Sequence, residues 1–379
     1  MTCTVGVEMK ETVYEILSGE KVCGEYSDGK LHIVDEKLAP LYLKDFRAWV
    51  ASRAIASSRG LTSRNIKAAS GLSANEYDFE TAMKAHAACV ADNYWVREKG
   101  SELRYEDVSF DGYTGYFSRL ALGLDYSWSD YVSDDPNPEL TNIGNSDKSW
   151  QTDEFGTRWL YKKQPLNECY NEVLASKLAK KLGIDTVDYE LVYASEPDPE
   201  LGRYGIVRST DFMQNRDLNF EPAELILKHL GTRDSDIEAN ADYFNELGLV
   251  KPYLNIIYLD IISGNPDRHS FNYGVLRDRS TGAVVGMAPN FDNNFAFFAG
   301  SMPTEQFIRA AKKYDWRAPC EVADSATASE NALTETFLAE LAAEMKSIAA
   351  FGSYDNPGAI RSIKTRNDQL FTELKELKI

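Results

Sequence analysis

The sequence predicts an α+β chain in which a small strand-rich unit lies between a mostly helical N-terminal region and a large helical C-terminal part. Three observations predict it. A turn-forming break, Asp134-Asp135-Pro136-Asn137-Pro138, would be accepted by neither a helix nor a central strand. Strand-like stretches flanking one helix follow it, and from about residue 222 apolar residues recur at helical spacing. With 379 residues the chain can hold two or three cores, since one domain usually takes about 100–200 residues. The expected organisation is residues 1–135 as a mixed, mostly helical region of unassigned role, 136–212 as the small unit with a hinge, and 213–379 as the helical part.

Before the break, residues 41–58 and 76–91 carry helix formers with apolar positions three and four apart, while 101–120 is aromatic and irregular. After it, Trp159 to Lys162, Thr186 to Tyr193 and Tyr204 to Ser209 read as strands, the last two joined by the turn-rich 196–202. A helix from Asn167 to Leu182 separates the first two and ends at Gly183, where a left-handed cap residue belongs. This strand, helix, strand-pair order is a layout of small nucleotide-binding lobes. Helices are then expected at 223–231, 237–247, 249–263, 330–350 and 358–377. In 249–263, Val250, Tyr253, Leu254, Ile257, Tyr258 and Ile261 fall on one face, so one side of that helix should be buried.

Composition narrows the function. Hydrophobic residues at 43% and charged residues at 26% describe a folded globular protein. Glu8 and Glu11 break the apolar run a signal peptide needs, and no stretch is apolar for long enough to span a membrane, so a cytoplasmic location without membrane contact is expected. Cys3, Cys23, Cys89, Cys169 and Cys320 are scattered singly, as reduced thiols are, and His32, His86, His229 and His269 lie far apart, against a histidine-built metal site. A formal charge of −18 opposes the basic footprint that holds a phosphate backbone, so direct nucleic-acid contact is not expected.

The densest chemical signal is Asn265-Pro-Asp-Arg-His-Ser-Phe-Asn-Tyr-Gly274, followed by Pro289-Asn-Phe-Asp-Asn293. Phosphoryl transfer needs a carboxylate to orient the attacking hydroxyl, a neutral oxygen ligand for magnesium, and a second carboxylate between metal and phosphates. Asp267, Asn272 and Asp292 are of those types. The Asp-x4-Asn spacing repeats that of protein-kinase catalytic loops, and Val275 to Leu276 with Val284 to Met287 reads as a hairpin bringing Asp292 close. Such a pair alone arises by chance in many chains; its place after a buried helix and before a hairpin gives it weight.

Asn265, Asp267, His269 and Asn272 form N-x-D-x-H-x-x-N, which resembles the loop of the HipA family of serine/threonine protein kinases. The resemblance extends over 140–300 and implies a protein-kinase-like two-lobed α+β fold, with a small β-rich lobe and a large helical lobe. It implies ATP and Mg2+ as cofactors, Asp267 as catalytic base, and Asn272 and Asp292 as magnesium ligands. Leu178-Ala-Lys-Lys-Leu-Gly-Ile184 is similar to the family's helix end, which makes Glu172 the helix glutamate and Lys162 or Lys163 the strand lysine that pairs with it. Strand alternation separates the two lysines without choosing between them; Lys162 is preferred. Gly144-Asn-Ser-Asp-Lys148 resembles the family's phosphate-covering loop, with Gly144 and Lys148 as candidate contacts. Thr141 matches the place of an autophosphorylated residue, with Ser146 and Ser149 as substitutes. Adenine would bond a hinge at Ile206 to Phe212, through Val207 and Phe212. A protein substrate with a Ser/Thr acceptor and an antitoxin-like partner complete what the resemblance implies. The chain departs from the pattern in having Phe291-Asp-Asn293 in place of D-F-G, and in its first 135 residues.

Two other functional classes fit parts of the sequence. Residues 60–76 can be read as a helix-turn-helix of a DNA-binding regulator, against which stands a helix-loop-helix packed on the core. A pseudokinase or antitoxin-like binding module would keep the fold without the activity, although every residue type that the reaction requires is present.

Overall fold

The computed structural model describes residues 12–192, 202–297, 304–318, 336–341, 343 and 357–376. Its N-terminal region opens with a meander, β1 (Tyr14–Ser18), β2 (Lys21–Ser27) and β3 (Lys30–Ile33), followed by helices α1 (Phe46–Ser52), α2 (Leu61–Ala69) and α3 (Asp78–Lys84). Strand β4 (Tyr94–Glu98) then returns beside β1, closing an antiparallel sheet of order β3-β2-β1-β4, and short helices α4 (Tyr105–Val108) and α5 (Ser118–Ala121) follow.

The region is mixed and more helical than extended, as expected, but this sheet was not among the expected elements. The β2–β3 turn is Asp28-Gly29, both at positive φ (52° and 70°), the pair a two-residue hairpin favours because its twist matches the strands. The expected helices are also shorter than their apolar spacing suggests. The first ends where Arg53 turns inward to bond Asp92, and the second ends where His86 and Ala87 adopt positive φ (55° and 51°). Helix α2 buries Thr62, Ser63, Asn65, Ile66 and Lys67, and the Lys67 ammonium donates to the Glu76 carbonyl oxygen at 2.8 Å. It is a core helix, which favours the packed helix-loop-helix over a DNA reader.

The second sheet is built from β5 (Asp147–Thr152), β6 (Arg158–Pro165), β7 (Tyr189–Leu191) and β8 (Tyr204–Thr210), in order β5-β6-β8-β7, with helix α6 (Leu166–Lys181) following β6 directly. Gly183, at φ +71°, stands just past the end of α6 as expected. The expected hinge is mostly strand: Ile206 and Val207 are interior to β8 and buried on its two faces, so the connection between units starts at Asp211. The 196–201 part of the expected turn lies outside the described residues.

The helical part contains β9 (Leu218–Pro222), α7 (Glu224–Leu230), α8 (Ile237–Glu246), α9 (Val250–Ser263), β10 (Gly274–Asp278), β11 (Val284–Met287), α10 (Glu305–Lys313) and α11 (Pro357–Glu376). Strands β11-β10-β9 form a third antiparallel sheet. Of the expected helix at 330–350, residues 336–341 and 343 are described and helical. The largest core joins α6 through α11, with Tyr253, Leu254, Tyr258 and Ile262 of α9 fully buried in it. Among the described residues no helix is long and apolar enough to cross a membrane.

Candidate active site

Helix α9 ends at Gly264, whose φ of +67° lets the chain turn away at once into the 265–272 loop. The loop is held by Arg268. This buried guanidinium bonds both carboxylate oxygens of Asp260 at 2.9 Å, the carbonyl oxygens of Asn272 (2.9 Å) and Phe291 (2.7 Å), and the side-chain oxygens of Asn290 (2.9 Å) and Asn293 (2.8 Å). Burial opposes its charge, but Asp260 outweighs burial and raises its pKa further. One side chain thus fixes the end of α9, the loop that carries Asp267 and Asn272, and the segment that carries Asp292.

Asp267 is half-buried, and among the described residues its carboxylate accepts no hydrogen bond, so it is free to take one from an incoming hydroxyl. Burial raises its pKa, and the neighbouring Asp292 adds to the rise while His269 opposes it. Asn272 donates through Nδ2 toward the Asp267 carbonyl oxygen at 3.4 Å, leaving its Oδ1 without a donor among the described residues.

Lys162 lies on β6 with its ammonium buried between two carboxylates, Asp292 Oδ1 at 2.7 Å and Glu172 Oε1 at 3.0 Å. Burial works against this charge, and the carboxylates Asp292 and Glu172 overcome it and hold the ammonium well above its ordinary pKa. Glu172 also accepts the Asn293 N–H at 2.7 Å, tying α6 to the segment after Asp292. Asp292 adopts φ +60°, an uncommon conformation for any residue but glycine and one that clusters at functional sites. Its N–H donates to the Tyr189 hydroxyl at 3.1 Å. Desolvation would raise its carboxyl, but Lys162 and then Lys148 hold it well below the usual carboxylate range. Lys163 points elsewhere, donating to the Gly123 carbonyl oxygen at 2.9 Å and facing Asp147.

Lys148 pairs across the sheet with Lys162 and is itself buried. Burial, then the positive charges of Lys162 and Arg59, push it down to about 7. Gly144, at φ +102°, packs so close that a Cβ there would stand 2.5 Å from the Lys148 Nζ. Thr141 is buried, at 3% exposure, with its hydroxyl turned to the Pro138 carbonyl oxygen. Val207 is the cross-strand partner of Lys162, and Phe212 stacks on Phe291, next to Asp292.

The structure therefore brings Lys162, Glu172, Asp292 and Lys148 together, with Asp267 and Asn272 on the loop that Arg268 ties to the Asp292 segment. Arg268, Tyr189 and Arg59 were not singled out from sequence. Arg268 lies inside the 265–274 loop motif and could have been, whereas Tyr189 and Arg59 carry no local signal. Among the described residues no group of three or more His, Cys, Asp or Glu side chains is placed to hold a metal by itself. A magnesium ion would rest on Asp292, Asn272 and the phosphates it accompanies, a donor set that suits it because magnesium typically takes one or two carboxylates plus phosphate oxygens.

Comparison with solved structures finds 32 similar chains, among them the following two. A Helicobacter pylori proinflammatory kinase, CtkA, is 14% identical with a TM-score of 0.38 over 59% of this chain and 90% of its own. HipA of Shewanella oneidensis MR-1, from a toxin-antitoxin complex with HipB and operator DNA, is 13% identical with a TM-score of 0.49 over 96% of each chain. These likenesses concern the fold. No family model and no curated protein matches the sequence.

Proposed function

We propose that this protein is an ATP- and magnesium-dependent kinase that transfers the γ-phosphoryl group to a Ser or Thr hydroxyl of a protein. The observation that carries the proposal is the strand ammonium of Lys162 shared between the helix carboxylate of Glu172, 10 residues on, and the loop carboxylate of Asp292, 130 residues on. A buried lysine aligned by a helix glutamate is the device that kinases use to hold nucleotide phosphates, with the metal-binding carboxylate beside it. Asp267 accepts the acceptor hydroxyl, and its raised pKa makes it a better base than a solvated aspartate. Asn272 and Asp292 hold magnesium, which when bound neutralises charge on the phosphates. Lys148 and the Gly144 loop cover those phosphates, while Val207 and Phe212 flank the adenine side.

Thr141 is the proposed autophosphorylation site. An antitoxin-like partner belongs to the same reading. The experiment is incubation with labelled ATP and magnesium, followed by mass spectrometry of the protein and of a cell lysate. Label on Ser or Thr residues supports the proposal; hydrolysis without transfer, or no ATP consumption under any condition, contradicts it.

A further inference from the structure

The Gly144 loop is gripped from outside its own sheet. Arg59, at the end of a 3-10 turn in the N-terminal region, is buried and donates to the carbonyl oxygens of Asn142, Ile143 (3.4 Å) and Gly144 (2.9 Å). Its neighbour Ser58 bonds Asn145 Oδ1 at 2.7 Å. On the other flank the Asn142 amide donates to Glu139 at 3.0 Å and to the Lys148 carbonyl oxygen at 3.3 Å.

Three successive carbonyls drawn to one guanidinium have a consequence for the N–H groups. In a trans peptide the C=O and the following N–H point in opposite directions, and among the described residues no bond is cis. The N–H groups of Ile143, Gly144 and Asn145 are therefore turned away from Arg59, and among the described residues none of them donates a hydrogen bond. Beside them lies Lys148, buried and without an ion-pair partner among the described residues. Successive free N–H groups beside a lysine that has no ion-pair partner among the described residues make an anion-binding concavity. The Arg59 Nη1 is itself buried without a partner, so this fork is not merely filling its own hydrogen-bond needs.

We infer that Arg59 is a positioning residue of the N-terminal region: it holds the loop carbonyls on one side so that the loop N–H groups and Lys148 present a polyphosphate site on the other. This deepens the kinase reading and rests on it for the identity of the phosphate carrier. Arginine is required because its planar fork meets several carbonyls at once, which a lysine ammonium does not.

The test is calorimetry of the full chain with sodium tripolyphosphate, ATP and adenosine as separate probes, without magnesium. Arg59→Gln should weaken tripolyphosphate and ATP by about tenfold or more, the scale of losing aligned hydrogen bonds to a charged ligand, with adenosine unchanged. Arg59→Lys should fall between. Ser58→Ala, an exposed change that spares the fold, should weaken tripolyphosphate by about threefold through loosening of the loop tip, and it decides the matter if Arg59→Gln does not fold. Equal losses for adenosine and tripolyphosphate, unchanged tripolyphosphate affinity in the folded variants, or a wild type that binds no tripolyphosphate would overturn the inference. A wild type that binds tripolyphosphate but neither ATP nor adenosine would sink the kinase reading and leave the loop site standing.

Discussion

A single ammonium, Lys162, acts in opposite ways on its neighbours. It adds to the burial that discharges Lys148, and it keeps Asp292 ionised. For Lys148 the sign of the linkage is fixed. Its folded pKa of about 7 lies below the ordinary 10.5, so between those values the unfolded chain binds the extra proton and stability rises with pH. The cost of burying it is full below about pH 7 and relieved toward pH 10.5. Lys148→Met should therefore be more stable than wild type at neutral pH, with the gap closing by pH 10. Urea midpoints at the two pH values measure this, and a gap independent of pH contradicts it. Asp292→Ala should weaken nucleotide binding only when magnesium is present, because in the proposed reading the carboxylate acts through the metal. Calorimetry with and without magnesium checks this, and equal losses in both would make Asp292 merely structural.

At the scale of elements, the junction of α9, the 265–272 loop and the 290–293 segment depends on Arg268. Replacing it with Met leaves Asp260 buried without its cation, a change that typically costs about 3–5 kcal/mol. Urea unfolding of Arg268→Met should register that loss, and a variant within about 1 kcal/mol of wild type would remove Arg268 from its supporting role. What was legible in the sequence follows from the same physics. Helix α9 was readable because its apolar face has helical period, and β10–β11 because it alternates between turn residues. The loop residues were readable because their spacing is local. The N-terminal sheet was not read, although Asp28-Gly29 offered a hairpin signal, because its strands are short and β4 pairs with β1 across the whole helical insertion. No local pattern could have placed Arg59 against Gly144, since that contact joins residues 85 positions apart.

Across the whole molecule, the N-terminal region touches both other parts. It meets the second sheet through Gly123 with Lys163 and Tyr113 with Thr152, and the helical part through Tyr94 with Glu221 and Tyr42 with Tyr243. A phosphate on Thr141 does not fit this arrangement. The residue is buried, it precedes carbonyls that Arg59 grips, and a group of about −1.5 to −2 charge there must be expelled to water. Wild-type protein incubated with ATP should acquire phosphate in 141–149 and lose activity with it, while Thr141→Ala should keep its activity. Phosphopeptide mapping against time checks this, and an active enzyme that never carries phosphate there contradicts the control mechanism alone.

The most direct measurement of the central claim compares single-turnover transfer from labelled ATP by wild type and by Asp267→Asn, with ATP affinity measured in parallel. Loss of the base should lower the transfer rate by about 100-fold or more, the usual contribution of a positioned base. ATP affinity should change by less than about threefold, because a base in the proposed role orients the acceptor and hardly touches the nucleotide. Transfer by Asp267→Asn at the wild-type rate would contradict the assignment of this loop as the catalytic centre.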